Sequence, residues 1–200
     1  DGKPVVAHPE LCRECQTCVE VCGPGALAMR NPAEPPKLLA LPYINANYET
    51  VLANAMRRSI ASKEAHAVPR PTDLGYIVAS TTGKVELETM EDGREGRLLE
   101  DLVKRAELNV FDRYFTAADF DALVAAFEEG STIDTGAELP AKEYVGTLKK
   151  FDGFSDALAR LKVGEDQGVI ASAMEFVLEG LHLNRRLNRD KVDGGFRYRG

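Results

Sequence analysis

Cys12, Cys15, Cys18 and Cys22 are the only cysteines of the chain, and they fall within eleven residues, in the run Cys12-Arg-Glu-Cys15-Gln-Thr-Cys18-Val-Glu-Val-Cys22. The spacing C-x2-C-x2-C-x3-C is that of iron–sulfur ligation. Two residues between thiolates let a short loop turn around one cubane and aim successive sulfurs at different irons. Cys12, Cys15 and Cys18 are therefore the expected ligands of one [4Fe-4S] cluster. A zinc site usually pairs two short knuckles separated by roughly a dozen residues or more, and a single crowded run closes a tetrahedron poorly. A disulfide framework belongs to small secreted domains, whereas the rest of this chain holds no cysteine. Plain burial explains none of the spacing.

The elements that must position these thiols are short. Lys3 to His8 reads as a strand, Pro9 to Cys18 as the ligating loop, Val19 to Cys22 as a helical turn and Ala26 to Arg30 as a returning strand. Asn31 to Lys37 then carries three prolines in seven residues, a stiff spacer that cannot hold a helix. A domain boundary is expected across residues 31–44, with an iron–sulfur segment over 1–30 and a second domain over 45–200. Because the chain opens on Asp1 inside a predicted strand, upstream sequence is expected to precede it.

Pro9-Glu10-Leu11-Cys12 leading into the loop and Gly25-Ala26-Leu27 after the last thiol resemble half of a bacterial-type two-cluster ferredoxin, over about residues 3–30. The resemblance implies electron transfer. It also implies that Cys22 ligates a second cluster, or is unused, since in that family the fourth cysteine of the run serves the other cluster. Gly23 stands where the family has proline, with Pro24 displaced by one. A unit of about 30 residues buries too little apolar area to offset its chain entropy alone. A missing upstream half, another subunit or the helical domain would have to supply a covering surface, and a protein partner or that upstream half the remaining cluster ligands.

Beyond Tyr43 the apolar period becomes helical. Tyr48, Val51, Leu52, Ala55, Met56 and Ile60 form a stripe with Arg57, Arg58 and Lys63 off it, and Asn45 or Asn47 is the expected cap. Helices are predicted from Asp73 to Thr82, closed by Gly83, and from Leu98 to Tyr114. Another should follow Thr116, whose spacing to Asp119 resembles a capping box, and stop at Gly130. Three more are predicted: Pro140 to Phe151, Ser155 to Leu161 and Asp166 to Leu183. Lys84 to Glu88 and the tail from Asp193 to Arg199 alternate like short strands. The expected fold is mainly α, a bundle of five or six helices with minor strands.

The segments Asn45 to Arg58, Ala79 to Glu88 and Phe176 to Asp190 are similar to the C-terminal part of magnesium chelatase-like AAA+ ATPases, over about residues 45–199. The resemblance implies a helical lid that packs against an AAA+ core or a neighbouring subunit. No G-x-x-x-x-G-K-[ST] phosphate loop occurs in the chain, so a lid of this kind has no cradle for nucleotide phosphates and hydrolyses no ATP by itself. Leu41-Pro-Tyr-Ile44 occupies the approach where the family places a nucleotide-sensing arginine, so no nucleotide-contacting residue is carried over.

The net charge of -7 and pI near 5.1 argue against a general nucleic-acid binder, and no apolar run approaches the roughly 18 residues of a membrane span. A cytoplasmic location without a membrane partner is expected. Arg57 and Arg58 read as a solvated helix face. The basic residues Arg185, Arg186, Arg189, Lys191, Arg197 and Arg199 read as complements to a helix C-terminus. His8, His66 and His182 lack ligand spacing, and Glu86, Glu88 and Glu91 read as an acidic loop. Three functional readings follow: an incomplete electron-transfer module on a helical docking domain, a non-catalytic assembly part of a chelatase-like motor, and two unrelated parts joined by an accident of gene assembly.

Overall fold

Helix α1 spans Ala40–Ser62, ahead of both asparagines expected to cap it. In the computed structural model, which describes residues 40–82, 95–148, 150–151 and 153–200, Asn47 serves elsewhere. Its Oδ1 accepts from Ser80 Oγ and, at 3.1 Å, from Thr81 Oγ1, which ties α1 to α2 (Ile77–Thr81). A 3-10 turn over Pro71–Tyr76 precedes α2. The cysteine run, its flanking strands, His8, the proline-rich spacer, and Gly83 with the strand expected over 84–88 lie outside the described residues.

The long helix predicted from Leu98 to Tyr114 is α3, Glu95–Tyr114. A 3-10 turn, Ala117–Phe120, leads into α4, Asp121–Glu128. The Asp119 carboxylate reaches back to accept from the Thr116 N–H at 2.8 Å, as the box-like spacing implied, and Gly130 ends the segment at φ +99°. The next helices are α5 (Ala141–Leu148) and α6 (Phe154–Arg160). Gly153 at φ 109°, not Ser155, caps α6. Last is α7, Gln167–Leu183, where Asp166 Oδ1 accepts from the Val169 N–H at 3.0 Å. Strands β1 (Ile133–Gly136), β2 (Asn188–Val192) and β3 (Gly195–Arg199) make one antiparallel sheet in the order β1-β3-β2. The fold is mainly α, with seven α-helices and this small sheet among the described residues.

Leu41–Gly200 form one compact unit, organised on α7, which packs against α3 and α5. Phe111, Leu123, Phe154, Met174, Val177, Leu178 and Leu181 are fully buried in a single core, each contributing about 1.5–3 kcal/mol of transfer free energy. Close approach is written into Gly180, because a Cβ there would lie 2.0 Å from the Phe111 ring. Gly195 does the same in the sheet, where a Cβ would meet the Thr135 carbonyl oxygen at 1.8 Å. Both sites need a residue with no side chain.

Candidate functional site

The four cysteines lie outside the described residues, so their chemistry rests on residue type and spacing. Among the described residues no three of His, Cys, Asp and Glu gather into a group that could hold a metal ion. The polar residues of the helical domain are instead arranged in two buried networks on one helix, around Glu175 and Glu179 of α7.

The first network joins α1, the 3-10 turn, α5 and α7. Arg58, expected on a solvated face, is only 4% exposed. Its two terminal nitrogens donate to Asp73 Oδ1 and Oδ2 at 2.7 and 2.9 Å, a bidentate pair. The reason is local: Asp73 is the third residue of the 3-10 turn and also accepts from the Arg70 N–H at 2.8 Å, so its carboxylate faces the α1 surface that Arg58 occupies. Arg70 is buried too. It donates to the Leu139 carbonyl at 2.7 Å and to Glu64 at 3.3 Å, and its guanidinium lies 4.9 Å from the centre of the Tyr144 ring. Glu64 in turn accepts from the Ala141 N–H at 2.7 Å, placing a carboxylate at the N-terminus of α5 where the helix dipole favours it.

Glu175 closes that network from below. It accepts from Tyr144 Oη at 2.5 Å, from the Thr72 N–H at 3.1 Å and from Thr72 Oγ1. Burial pushes its carboxyl above the usual range, against the Thr72 and Tyr144 hydrogen bonds and the Arg70 charge. Tyr144 Oη also accepts from the Gly136 N–H at 3.1 Å, so the phenol has its proton available for Glu175. Burial and the neighbouring Glu175 raise the phenol's own pKa.

One turn along α7, Glu179 accepts from Arg189 at 2.5 Å and from Tyr198 Oη at 2.6 Å. Arg189 lies over the Phe196 ring at 4.3 Å. Glu107 of α3 faces this cluster, and burial together with the Glu179 charge pushes its carboxyl up to about 8, with Arg189 and Lys104 opposing. Both networks are closed by donors from their own chain. Glu175 and Glu179 hold helices and sheet together, with their oxygens taken by donors from this chain.

The basic tail is different from its expected reading. Arg186 pairs with Asp121 at 2.7 Å, Arg197 with Asp134 at 2.7 Å, and Arg199 with Asp190 at 2.6 Å. These cations are neutralised by specific carboxylates, not by a helix end. Arg197 stands directly opposite Asp134 in the β1–β3 register, which is why the pair forms; half-exposed pairs of this kind contribute about 1 kcal/mol or less. His66 meets Asp166 at 2.7 Å and is exposed. His182 Nδ1 lies 3.1 Å from the Leu187 carbonyl oxygen. His66 is thus a surface residue and His182 a partly buried one tied to the chain after α7.

Sequence reading missed Asp73, Glu175 and Glu179. A signal existed for the last two: acids four residues apart on one face of a helix whose neighbours Met174, Val177, Leu178 and Leu181 are all apolar. No helix among the described residues is long and apolar enough to cross a membrane. Comparisons of the chain with protein-family models, with curated proteins and with solved structures return no match.

Proposed function

We propose that the chain binds a [4Fe-4S] cluster through Cys12, Cys15 and Cys18 and serves electron transfer, with the helical domain acting as a docking module. The single observation that carries this is the C-x2-C-x2-C-x3-C run, a donor set of soft thiolates at the intervals one cubane needs. When bound, such a cluster supplies one-electron chemistry. The chain's own part is to hold three thiols deprotonated in one loop, with Cys22 left for a second cluster or unused. A protein partner or an upstream half would complete the ligand set and cover the small segment.

A second reading is favoured by a specific observation in the helical domain. Tyr48, Met56 and Ile60 of α1 are 65%, 56% and 76% exposed, so half of the six-residue apolar stripe is left uncovered. An uncovered stripe suits a lid-like part that packs on another surface, as the similarity to magnesium chelatase-like AAA+ proteins implies. On this reading the chain is a non-catalytic assembly part.

Anaerobic reconstitution with iron and sulfide separates the two. The electron-transfer reading expects a visible thiolate-to-iron band that bleaches on reduction and returns on oxidation. A chain that takes up zinc and no iron overturns it. Ring-sized assemblies with a P-loop ATPase would instead support the assembly role, and a monomer indifferent to such ATPases would count against it.

A further inference from the structure

The uncovered face of α1 is complementary to itself. At intervals of four, Asn45, Glu49, Ala53, Arg57 and Ala61 are all exposed, forming one i±4n row along the helix. Its two charges have opposite sign and stand symmetrically about Ala53. Neither has an ion-pair partner among the described residues. Arg57 is held ready for one. It donates from Nη2 to Asn54 Oδ1 at 2.8 Å and to Tyr76 Oη at 3.3 Å, so Nη1 and Nε remain for a carboxylate. Beside this row runs a second, apolar one: Tyr48, Met56 and Ile60 are exposed and Leu52 is half-buried.

The order of the charges selects the occupant. Many apolar surfaces would suit Met56 and Ile60, but a row that reads acid, alanine, base along α1 reads base, alanine, acid along a copy running the other way. A twofold axis at Ala53 therefore sets Glu49 against the second copy's Arg57, and Arg57 against its Glu49. A parallel pair of α1 helices would instead bring like charges together. Helices crossing at about −50° run their i±4n rows along each other, and Ala53 at the crossing point is small enough for the axes to approach. The same twofold brings Met56 to its own copy and Ile60 toward the second copy's Leu52, so the apolar row is covered in the same step.

We propose that a second copy of this chain covers α1, as an antiparallel twofold dimer centred on Ala53 with reciprocal Glu49–Arg57 pairs. A single helix crossing lies at the small end of interface sizes, below about 1,200 Å², so the dimer is weak and reversible. The proposal deepens the assembly reading given above and rests on it for the stripe being a contact surface, but does not require iron.

The test is sedimentation velocity of the full chain from micromolar to millimolar concentration, which should show a monomer–dimer equilibrium. Glu49→Arg and Arg57→Glu should each weaken the dimer about tenfold or more, because both pairs become like-charged. Two combinations should restore it. One is Glu49→Arg/Arg57→Glu in the same chain; the other is an equimolar mixture of the two single variants, in whose heterodimer every acid again faces a base. Ala53→Glu, which leaves the Arg57 hydrogen bonds intact, should abolish the dimer by placing two like charges at the axis. Far-UV circular dichroism should be unchanged for all variants. Three results overturn the proposal: no concentration dependence, a dimer indifferent to both charge reversals, or failure of either combination to restore it. A monomer that still assembles with a P-loop ATPase overturns the dimer and leaves the assembly reading standing, and iron content on the same samples reads the cluster separately.

Discussion

In the cysteine segment four side chains of one chemical type fall within eleven residues, the spacing on which the proposed cluster rests. In the helical domain Arg58, Asp73, Arg70 and Glu175 come from α1, a 3-10 turn, the loop before it and α7, and they join one network of buried ion pairs and hydrogen bonds. The difference separates polar groups that advertise a ligand from polar groups that build a fold. Local crowding at fixed intervals marks the first kind. The second kind is marked only by who meets whom across the chain.

The comparison can be broken most severely at the cysteines. Cys15→Ser should lower retained iron by about an order of magnitude or more, read by elemental analysis after anaerobic reconstitution. Cys22→Ser should keep most of the iron if, as proposed, Cys12, Cys15 and Cys18 hold the cluster without it. Equal loss in both variants would merge the two roles.

Next in size is the buried pair. Asp73→Ala leaves Arg58 charged in the interior without a carboxylate, with only the Val68 carbonyl accepting from it at 2.7 Å, which costs about 3–5 kcal/mol and should appear as a lowered urea midpoint. A change within error would mean that Arg58 reaches solvent. Gly180→Ala drives a methyl into the Phe111 ring and should cost about 1–3 kcal/mol, whereas Gly146→Ala, with no atom within 4 Å of the added Cβ, should be neutral or slightly stabilising.

The smallest effect depends on pH. The folded chain holds the Glu107 proton until about pH 8, while the ordinary carboxyl value is 4.5. The folded state binds more protons between these values, so its advantage is fully present below pH 4.5 and is lost progressively as pH rises to about 8. Glu107→Gln should therefore flatten that decline and stabilise the chain at pH 8.5 by about 1–2 kcal/mol, measured as the pH dependence of the urea midpoint. An unchanged slope would place Glu107 in water.

The helices were legible in the sequence because their signals are local. The 3.6-residue period of α3 and α7, Asp166 ahead of Val169 and Gly130 after Phe127 each act within a turn or two. The tail hairpin was half legible: Gly194 at φ +75° and the alternation of β3 were visible, but β2 was hidden in a run of charges. Strand β1, four residues long, is defined by pairing Ile133 with Tyr198, across more than sixty positions that no local pattern spans. Arg58 was misread for the same reason. Its helix position beside Arg57 looks solvated until the turn around Asp73 folds against it. The cysteines stand out by spacing alone and the buried acids do not, since an acid inside an apolar helix is recognisable only when its partners are known.

The most direct measurement is the metal and acid-labile sulfide content of the chain purified without oxygen. Iron at about four per chain with matching sulfide, and none in the triple variant Cys12→Ser/Cys15→Ser/Cys18→Ser, is the predicted result. Stoichiometric zinc, or iron that survives loss of all three thiols, would contradict it.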